Sequence, residues 1–189
     1  MNIYLVRHTT PQIEDGICYG SSDLGLVATF PEEAQRIREV IPADIATVYS
    51  SPLQRCARLA EVLSVHAATL DERLREIHFG EWEMQPWDDI PESDRRYFFD
   101  DFANRQPPGG ESFTQVQTRG LAAFDDYVLR HRDEVDEMLV VAHAGVIRSL
   151  LAHWQDRPLM EAYDNDLDYG AVTLLKLEGD RIIPEWVNR

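Results

Sequence analysis

Three short hydrophobic segments of this chain are each followed by basic residues, and this layout restricts the fold more than any other feature. The segments are typical of buried strands and lie at residues 3–6, 45–49 and 138–142. Helical patterns separate them. Buried strands that alternate with helices predict a three-layer α/β sandwich around a mainly parallel central sheet.

The remaining elements follow from local signals. Thr29, ahead of a proline and two acids, indicates a helix start. Helices are predicted at about residues 30–42, 52–63, 112–131 and 146–154, and closing strands at 172–177 and 182–187 around a Glu-Gly-Asp turn. We expect one domain over residues 1–189.

Residues 79–110 form a predicted helical and aromatic cap inserted in that domain. Seven of the chain's 18 aromatic residues lie between positions 79 and 102. A small insertion needs its own core, which accounts for Phe98, Phe99 and Phe102. Trp82 and Trp87 lie beside acids and Pro86, and for these two a place over a bound ligand is the alternative.

Composition excludes several classes of function. The 34 acidic residues outnumber the 18 basic ones, for a net charge of −16, so nucleic acid and anionic membranes are not expected partners. No apolar stretch is long enough to span a membrane, and the first residues lack a signal-peptide pattern, so we expect a cytoplasmic protein. Two separate cysteines provide neither a disulfide framework nor a thiolate metal site.

Basic residues at the ends of the strands are the candidates for chemistry. Ligands of open α/β sheets bind beyond the carboxyl ends of strands, so we expect one crevice to collect Arg7, His8, Arg55 and His143. Guanidinium forks suit the oxygens of a phosphoryl group. A metal site is disfavoured because the arginines would repel a cation, and we expect no metal or organic cofactor.

The chain resembles the histidine phosphatase superfamily, which includes the cofactor-dependent phosphoglycerate mutases. Arg7-His8-Thr9 is similar to the family's RHG signature, and residues 18–23 are similar to its first substrate loop. Later motifs match in order at residues 51–56, 74–83, 108–112 and 141–148. The resemblance implies a phosphoglycerate mutase-like fold.

The resemblance also implies roles for individual residues. His8 would be the nucleophile that forms a phosphohistidine, and Arg7, Arg55 and His143 would hold the phosphoryl oxygens. Glu76 would protonate the leaving group and then deprotonate the attacking water. The implied substrate contacts are Thr10, Tyr19, Gly20, Ser21, Trp82 and the backbone N–H of Ala144.

Several positions depart from the family pattern. Thr9 replaces the glycine after the nucleophile, so we expect it to have an ordinary backbone conformation. Glu14 stands where a phosphate-binding asparagine is usual, and we expect it to point away while Thr10, Gln12 or Ser21 supplies a donor. Met84 replaces a glycine after Glu83.

Within the superfamily, the PGGES loop and the RHTTP opening are most similar to the α-ribazole-5′-phosphate phosphatases of cobalamin synthesis. This similarity implies hydrolysis of a small-molecule monoester with a flat, largely apolar leaving group, on which Trp82 or Trp87 would stack. The alternatives are a broad-specificity phosphatase, a phosphoglycerate mutase-like enzyme, and a non-catalytic domain that binds a phosphorylated ligand. Whether the chain forms a homodimer stays open.

Overall fold

The computed structural model describes residues Met1–Arg189 and contains one six-stranded sheet. Its strands are β1 (Asn2–Arg7), β2 (Thr47–Ser50), β3 (Thr69–Leu70), β4 (Glu137–Ala142), β5 (Val172–Glu178) and β6 (Arg181–Trp186). They lie in the order β3-β2-β4-β1-β5-β6. The first four strands run parallel, and β5 and β6 run antiparallel to their neighbours. The predicted mainly parallel sheet is confirmed.

Five α-helices accompany the sheet: α1 (Phe30–Arg38), α2 (Gln54–Leu63), α3 (Glu92–Phe99), α4 (Phe113–His131) and α5 (Ala144–Trp154). Helix α1 is shorter than predicted, because it ends at Arg38 while the chain continues in turns to Pro42. Helix α5 begins two residues earlier than predicted, with His143 as its extended N-cap residue. Short 3₁₀ turns lie at Glu72–Leu74, Gly80–Trp82, Trp87–Asp89 and Leu159–Asp164.

Successive side chains of the central strands point to opposite faces of the sheet and so contribute to two separate cores. In β1, Ile3 and Leu5 pack in a core with residues of α4 and α5, whereas Tyr4 and Val6 pack in a second core with residues of α1 and α2. Because both faces of the sheet are covered, the inner residues of β1 and β4, at positions 3–6 and 138–142, are all hydrophobic. The result is the predicted three-layer arrangement.

The carboxyl ends of β1, β2 and β4 lie side by side. The parallel register pairs Arg7 with Ala142 and Ser50 with Val141. The next residue continues the pairing, since the N–H of His8 donates to the carbonyl of Ala142 at 3.0 Å. The topology therefore brings together the basic residues that follow these strands, along the carboxyl-terminal edge of the sheet.

The region between Phe79 and Gly110 contains α3 and two 3₁₀ turns, and its aromatic rings pack mainly on one another. Trp82, for example, meets Phe98 edge-on with the ring centroids 5.7 Å apart. Helix α4 then starts at a capping box, in which the Ser112 side chain accepts from the Gln115 N–H and the Gln115 side chain accepts from the Ser112 N–H.

None of the helices has both the length and the hydrophobicity that a membrane-spanning segment needs.

Candidate active site

His8 lies at the centre of this edge and is 2% exposed. Its Nδ1 lies 2.7 Å from the carbonyl oxygen of Thr9, and its Nε2 lies 3.3 Å from the Nε–H of Arg55. A carbonyl can only accept and a guanidinium can only donate, so the partners assign the proton to Nδ1 and the lone pair to Nε2. Burial, with Arg55 and Arg7 nearby, holds the pKa of His8 well below its usual range. The neutral imidazole therefore presents Nε2 as a nucleophile.

Arg55 lies in the first turn of α2 and is fully buried. Its two terminal nitrogens donate to the carbonyls of Ser22 and Gly20, at 2.7 and 2.6 Å. The guanidinium thus joins His8 to the loop that follows β1. A lysine could not make three such directed contacts at once.

Glu83 holds the same loop from the opposite side. Its carboxylate accepts from the backbone N–H groups of Gly20, Ser21, Ser22 and Phe79 at 2.9–3.2 Å, and from the Ser22 hydroxyl. Burial raises the pKa of Glu83, but these hydrogen bonds outweigh burial and bring the pKa below its usual value. The loop backbone is therefore fixed by one carboxylate and one guanidinium.

Arg7 reaches the site from the end of β1. One terminal nitrogen donates to the carbonyl of Leu167, and the guanidinium carbon lies 3.8 Å from the centre of the Tyr169 ring. The Nε atom of Arg7 is buried without a hydrogen-bond partner. Burial lowers the pKa of Arg7 from its ordinary value. An anion in the neighbouring cavity would satisfy the unpaired donor.

His143 packs against His8 and is fully buried. Its ring centroid lies 5.0 Å from that of His8, and its Nε2 lies 2.8 Å from the hydroxyl of Ser51. The thiol of Cys56 lies 3.4 Å from the same nitrogen. Burial and the nearby Arg55 hold the pKa of His143 well below its usual range, so this ring is neutral as well.

Glu76 lies at the amino end of α5. One carboxylate oxygen accepts from the N–H of Gly145 at 3.0 Å, and the other accepts from the N–H of Ile77 at 2.9 Å. Unpaired N–H groups at a helix start favour a carboxylate in this place. The carboxyl group therefore has a fixed position beside the strand ends.

A cavity of about 190 Å³ opens over these residues. Its lining residues are Arg7, His8, Tyr19, Glu76, Ile77, Phe79, Trp87, Ala144, Gly145, Arg148 and Tyr163. Arg55 and His143 do not line it, although both contact His8. The cavity thus presents a neutral imidazole, a carboxyl group and two arginines to one small space.

The predicted substrate contacts lie in different surroundings. Tyr19 and Ala144 line the cavity. The N–H of Thr10 donates to Glu33 at 2.8 Å, and those of Gly20 and Ser21 donate to Glu83. Trp82 is 4% exposed within the aromatic core and does not line the cavity, whereas Trp87 does.

The departures from the family pattern are accommodated locally. Thr9 is fully buried and does not have a positive φ, as expected for a β-branched residue. Glu14 is exposed. Met84 has a φ of +65°, a conformation that favours glycine.

Sequence reasoning assigned no role to three residues at the site. Arg148 lies one helical turn after Ala144 on α5, so the two side chains share one face of the helix. This spacing could have identified Arg148 as a residue of the site. Tyr163 and Tyr169 come from the segment between α5 and β5, which contains none of the family motifs. Only the folded chain brings them to the site.

A parallel α/β edge that collects a neutral histidine, two arginines and a carboxyl group has the groups that a phosphoric monoester hydrolase requires. Comparison with known sequences agrees. The model of the histidine phosphatase superfamily (branch 1) matches residues 3–189. The chain belongs to this superfamily, and its fold is phosphoglycerate mutase-like.

Similar proteins cover nearly the whole chain. The solved structure of Bacillus stearothermophilus YhfR is 31% identical with a TM-score of 0.86, covering 97% of this chain and 95% of that one. A Hydrogenobacter thermophilus protein provisionally named phosphoserine phosphatase 2 is 28% identical over 99% of this chain and 95% of its own length. The adenosylcobalamin/alpha-ribazole phosphatase of Escherichia coli (strain K12) is 27% identical over 90% of this chain and 87% of its own length.

Proposed function

We propose that this protein is a cytoplasmic phosphatase of cobalamin biosynthesis that removes the phosphoryl group of α-ribazole 5′-phosphate through a phosphohistidine at His8. The observation that carries the mechanism is the hydrogen bonding of His8, which puts the proton on Nδ1 and leaves Nε2 unprotonated; its lone pair accepts from the Arg55 Nε–H until a phosphoryl group engages that donor. The E. coli relative named above as an alpha-ribazole phosphatase supports the substrate. Both cysteines are free and buried, which fits a reducing compartment.

In the first step, Nε2 of His8 attacks phosphorus and the bond from phosphorus to the ester oxygen breaks. Glu76 gives its proton to the leaving alkoxide. The imidazole becomes positively charged in the phosphohistidine, and the Thr9 carbonyl, which accepts from Nδ1, stabilises that charge. Arg7, with its unpaired Nε, and Arg55 balance the charge on the phosphoryl oxygens.

In the second step, the Glu76 carboxylate takes a proton from water and the resulting hydroxide attacks phosphorus. The bond from phosphorus to nitrogen breaks, and inorganic phosphate and neutral His8 are restored. His143 stays packed against His8 throughout, with the ring centroids 5.0 Å apart. Its buried ring is neutral in the free enzyme, and a phosphate dianion bound at His8 offsets the positive charge of Arg55.

The leaving group would lie between two aromatic walls of the cavity. Trp87, which meets Phe79 edge-on with ring centroids 5.7 Å apart, belongs to the cap, and Tyr163 belongs to the segment after α5. A flat benzimidazole fits such walls by stacking. Of the two tryptophans expected to stack on the leaving group, we therefore assign this role to Trp87 and not to the buried Trp82.

The experiment that tests this proposal compares phosphate release from α-ribazole 5′-phosphate, p-nitrophenyl phosphate, phosphoserine and 3-phosphoglycerate, with EDTA present. We expect the highest kcat/KM for the ribazole ester, and no turnover by His8→Ala. Trp87→Leu should lower kcat/KM for the ribazole ester by about tenfold and spare p-nitrophenyl phosphate. Trp186→Leu, which removes a half-buried tryptophan that does not line the cavity, is the matched control.

Other outcomes would redirect the proposal. Similar slow rates on every ester would identify a broad-specificity phosphatase. Release from none of them, with binding retained, would support a domain that only binds a phosphorylated ligand. Substantial turnover by His8→Ala would contradict the phosphohistidine mechanism.

A second candidate substrate is a phosphomonoester that carries a carboxylate, such as phosphoserine. Arg148 favours it, because this arginine lines the cavity and only its Nε donates to a neighbour, the carbonyl of Asn165. A free guanidinium end binds a carboxylate well. Under this alternative, phosphoserine would be the best substrate, and Arg148→Gln would raise its KM while leaving p-nitrophenyl phosphate unaffected.

A further inference from the structure

The ring of Tyr169 covers the guanidinium of Arg7. The guanidinium carbon lies 3.8 Å from the ring centroid, which is the closest such pairing of the six in the structure. The same ring lies 5.6 Å from the ring of His8. Tyr169 therefore packs against two residues of the catalytic signature, although it does not line the catalytic cavity itself.

The residues around Tyr169 hold the end of β1 in place. The carbonyl of Leu167 accepts from the Arg7 side chain, and the carbonyl of Ala171 accepts from the Arg7 N–H at 2.9 Å. The N–H of Gly170 donates to the carbonyl of His8 at 3.0 Å. The segment 167–171 thus binds the backbone and the side chain of the catalytic pair.

A hydroxyl–hydroxyl hydrogen bond fixes the Tyr169 ring. The two oxygens of Tyr169 and Tyr19 are 2.6 Å apart, and the two residues are 150 positions apart in the chain. Tyr169 is 40% exposed, so packing restrains only part of its side chain and the hydrogen bond adds a second restraint. Tyr19 itself belongs to the loop that Arg55 and Glu83 hold.

We propose that Tyr169 is a positioning residue for Arg7, and that its bond to Tyr19 locks it over the guanidinium. The inference rests on the proposed function, in which Arg7 binds the phosphoryl group. An arginine side chain has several rotatable bonds, so holding it in one place before binding lowers the entropy cost of gripping phosphate. The ring adds attraction to a guanidinium that is otherwise buried with an unpaired Nε–H.

The test measures the affinity for inorganic phosphate by calorimetry, which works for inactive variants as well. Tyr169→Leu removes the ring and should weaken binding by about tenfold. Tyr169→Phe and Tyr19→Phe each remove one hydroxyl and thereby the same hydrogen bond, so each should weaken binding by about threefold and the double variant no further. In an Arg7→Gln background, Tyr169→Leu should have no additional effect. A merely structural tyrosine would not show this dependence on Arg7.

Tyr97→Leu is the matched control. Tyr97 is 57% exposed and also packs on an arginine, Arg105, at 4.6 Å, but it does not line the catalytic cavity. This variant should bind phosphate like the wild type. Should Tyr169→Leu fail to fold, the two phenylalanine variants decide the question.

Three results would overturn the inference, and they can be told apart. Normal phosphate binding by Tyr169→Leu, together with a clear loss in Arg7→Gln, would remove the positioning role alone. Normal phosphate binding by Arg7→Gln would contradict the proposed use of Arg7, and with it the role of Tyr169. Equal losses from Tyr169→Leu in the presence and absence of Arg7 would also reject the positioning role.

Discussion

Gly145 leaves the space that Glu76 occupies. A Cβ atom at position 145 would lie 2.3 Å from the nearer carboxylate oxygen of Glu76, well inside contact distance. The N–H of the same glycine donates to the other oxygen at 3.0 Å. One residue in the first turn of α5 therefore supplies both the donor and the room for the proposed general acid.

Gly145→Ala is expected to displace Glu76 and to slow the chemical step. An added methyl group must push the carboxyl group away, and general acid–base catalysis contributes about 10²–10⁴-fold. We expect kcat to fall by about 10²-fold for an alkyl phosphate. For p-nitrophenyl phosphate, whose leaving group needs little protonation, the fall should be much smaller. Steady-state kinetics on the two esters measure the difference.

Glu76→Gln provides the comparison for that variant. It should show the same dependence on the leaving group, and Gly145→Ala should cost little more when added to it. Equal losses on both esters would mean that Glu76 acts in hydrolysis of the phosphoenzyme or in positioning, and not in protonation of the leaving group. Wild-type kinetics for Gly145→Ala would show that the carboxyl group is not needed where the structure has it.

The fold was predictable because its signals are local. Residues 3–6 and 138–142 are apolar at every position, which is typical of strands covered on both faces, and both lie within strands of the sheet. The predicted closing hairpin is likewise present as β5 and β6. The ends of α1 and α5 were less predictable, because single turns there depend on neighbouring elements.

The candidate site was predictable where a residue follows directly on a strand. His8, Arg7 and His143 lie near one another because the strand order brings β1 beside β4. Tyr169 could not be predicted in this way, since its place depends on a hydrogen bond to a residue 150 positions away. Trp82 and Trp87 looked alike in the sequence, and only packing separates the buried ring from the one at the cavity.

Arg55→Lys is expected to lower kcat/KM by at least about 10²-fold. The guanidinium contacts His8 and the carbonyls of Gly20 and Ser22 from a fully buried position, and an ammonium group cannot match this planar set. Removing contacts from a buried charge costs about 1–3 kcal/mol or more. Kinetics with p-nitrophenyl phosphate measure the loss. Arg58→Lys, one turn further along the same helix and exposed, is the control and should behave like the wild type.

Stability is expected to decline as the pH falls below about 6.5. The pKa values of His8 and His143 are lowered in the folded state, so the unfolded chain binds more protons once the pH drops below its own histidine pKa of about 6.5. Each histidine then costs up to about 1.4 kcal/mol per pH unit, until the folded pKa is reached. Above pH 7 this effect is absent.

Urea unfolding at pH 7.5, 6.0 and 5.0 checks that expectation. His8→Asn should remove about half of the decline, because it leaves only His143 to titrate. Glu83, with its lowered pKa, loses its contribution only at pH values below the ordinary range of a carboxylate, so it does not mimic this effect. A free energy of unfolding that is constant from pH 7.5 to 5.0 would show that the two rings accept protons in the folded protein.

Met84→Gly is expected to stabilise the protein. Met84 has a φ of +65°, which costs a side-chain-bearing residue about 1–2 kcal/mol, and it is 50% exposed, so little buried surface is lost. Its N–H donates to the carbonyl of Cys18 at 2.8 Å, and glycine keeps that bond. After the extra entropy of glycine in the unfolded chain, we expect a gain of about 0.5–1 kcal/mol in the free energy of unfolding. Met160→Gly is the control: Met160 is 40% exposed within a 3₁₀ turn at negative φ, so this variant should be destabilised. If both variants lost stability equally, the backbone at position 84 would carry no strain.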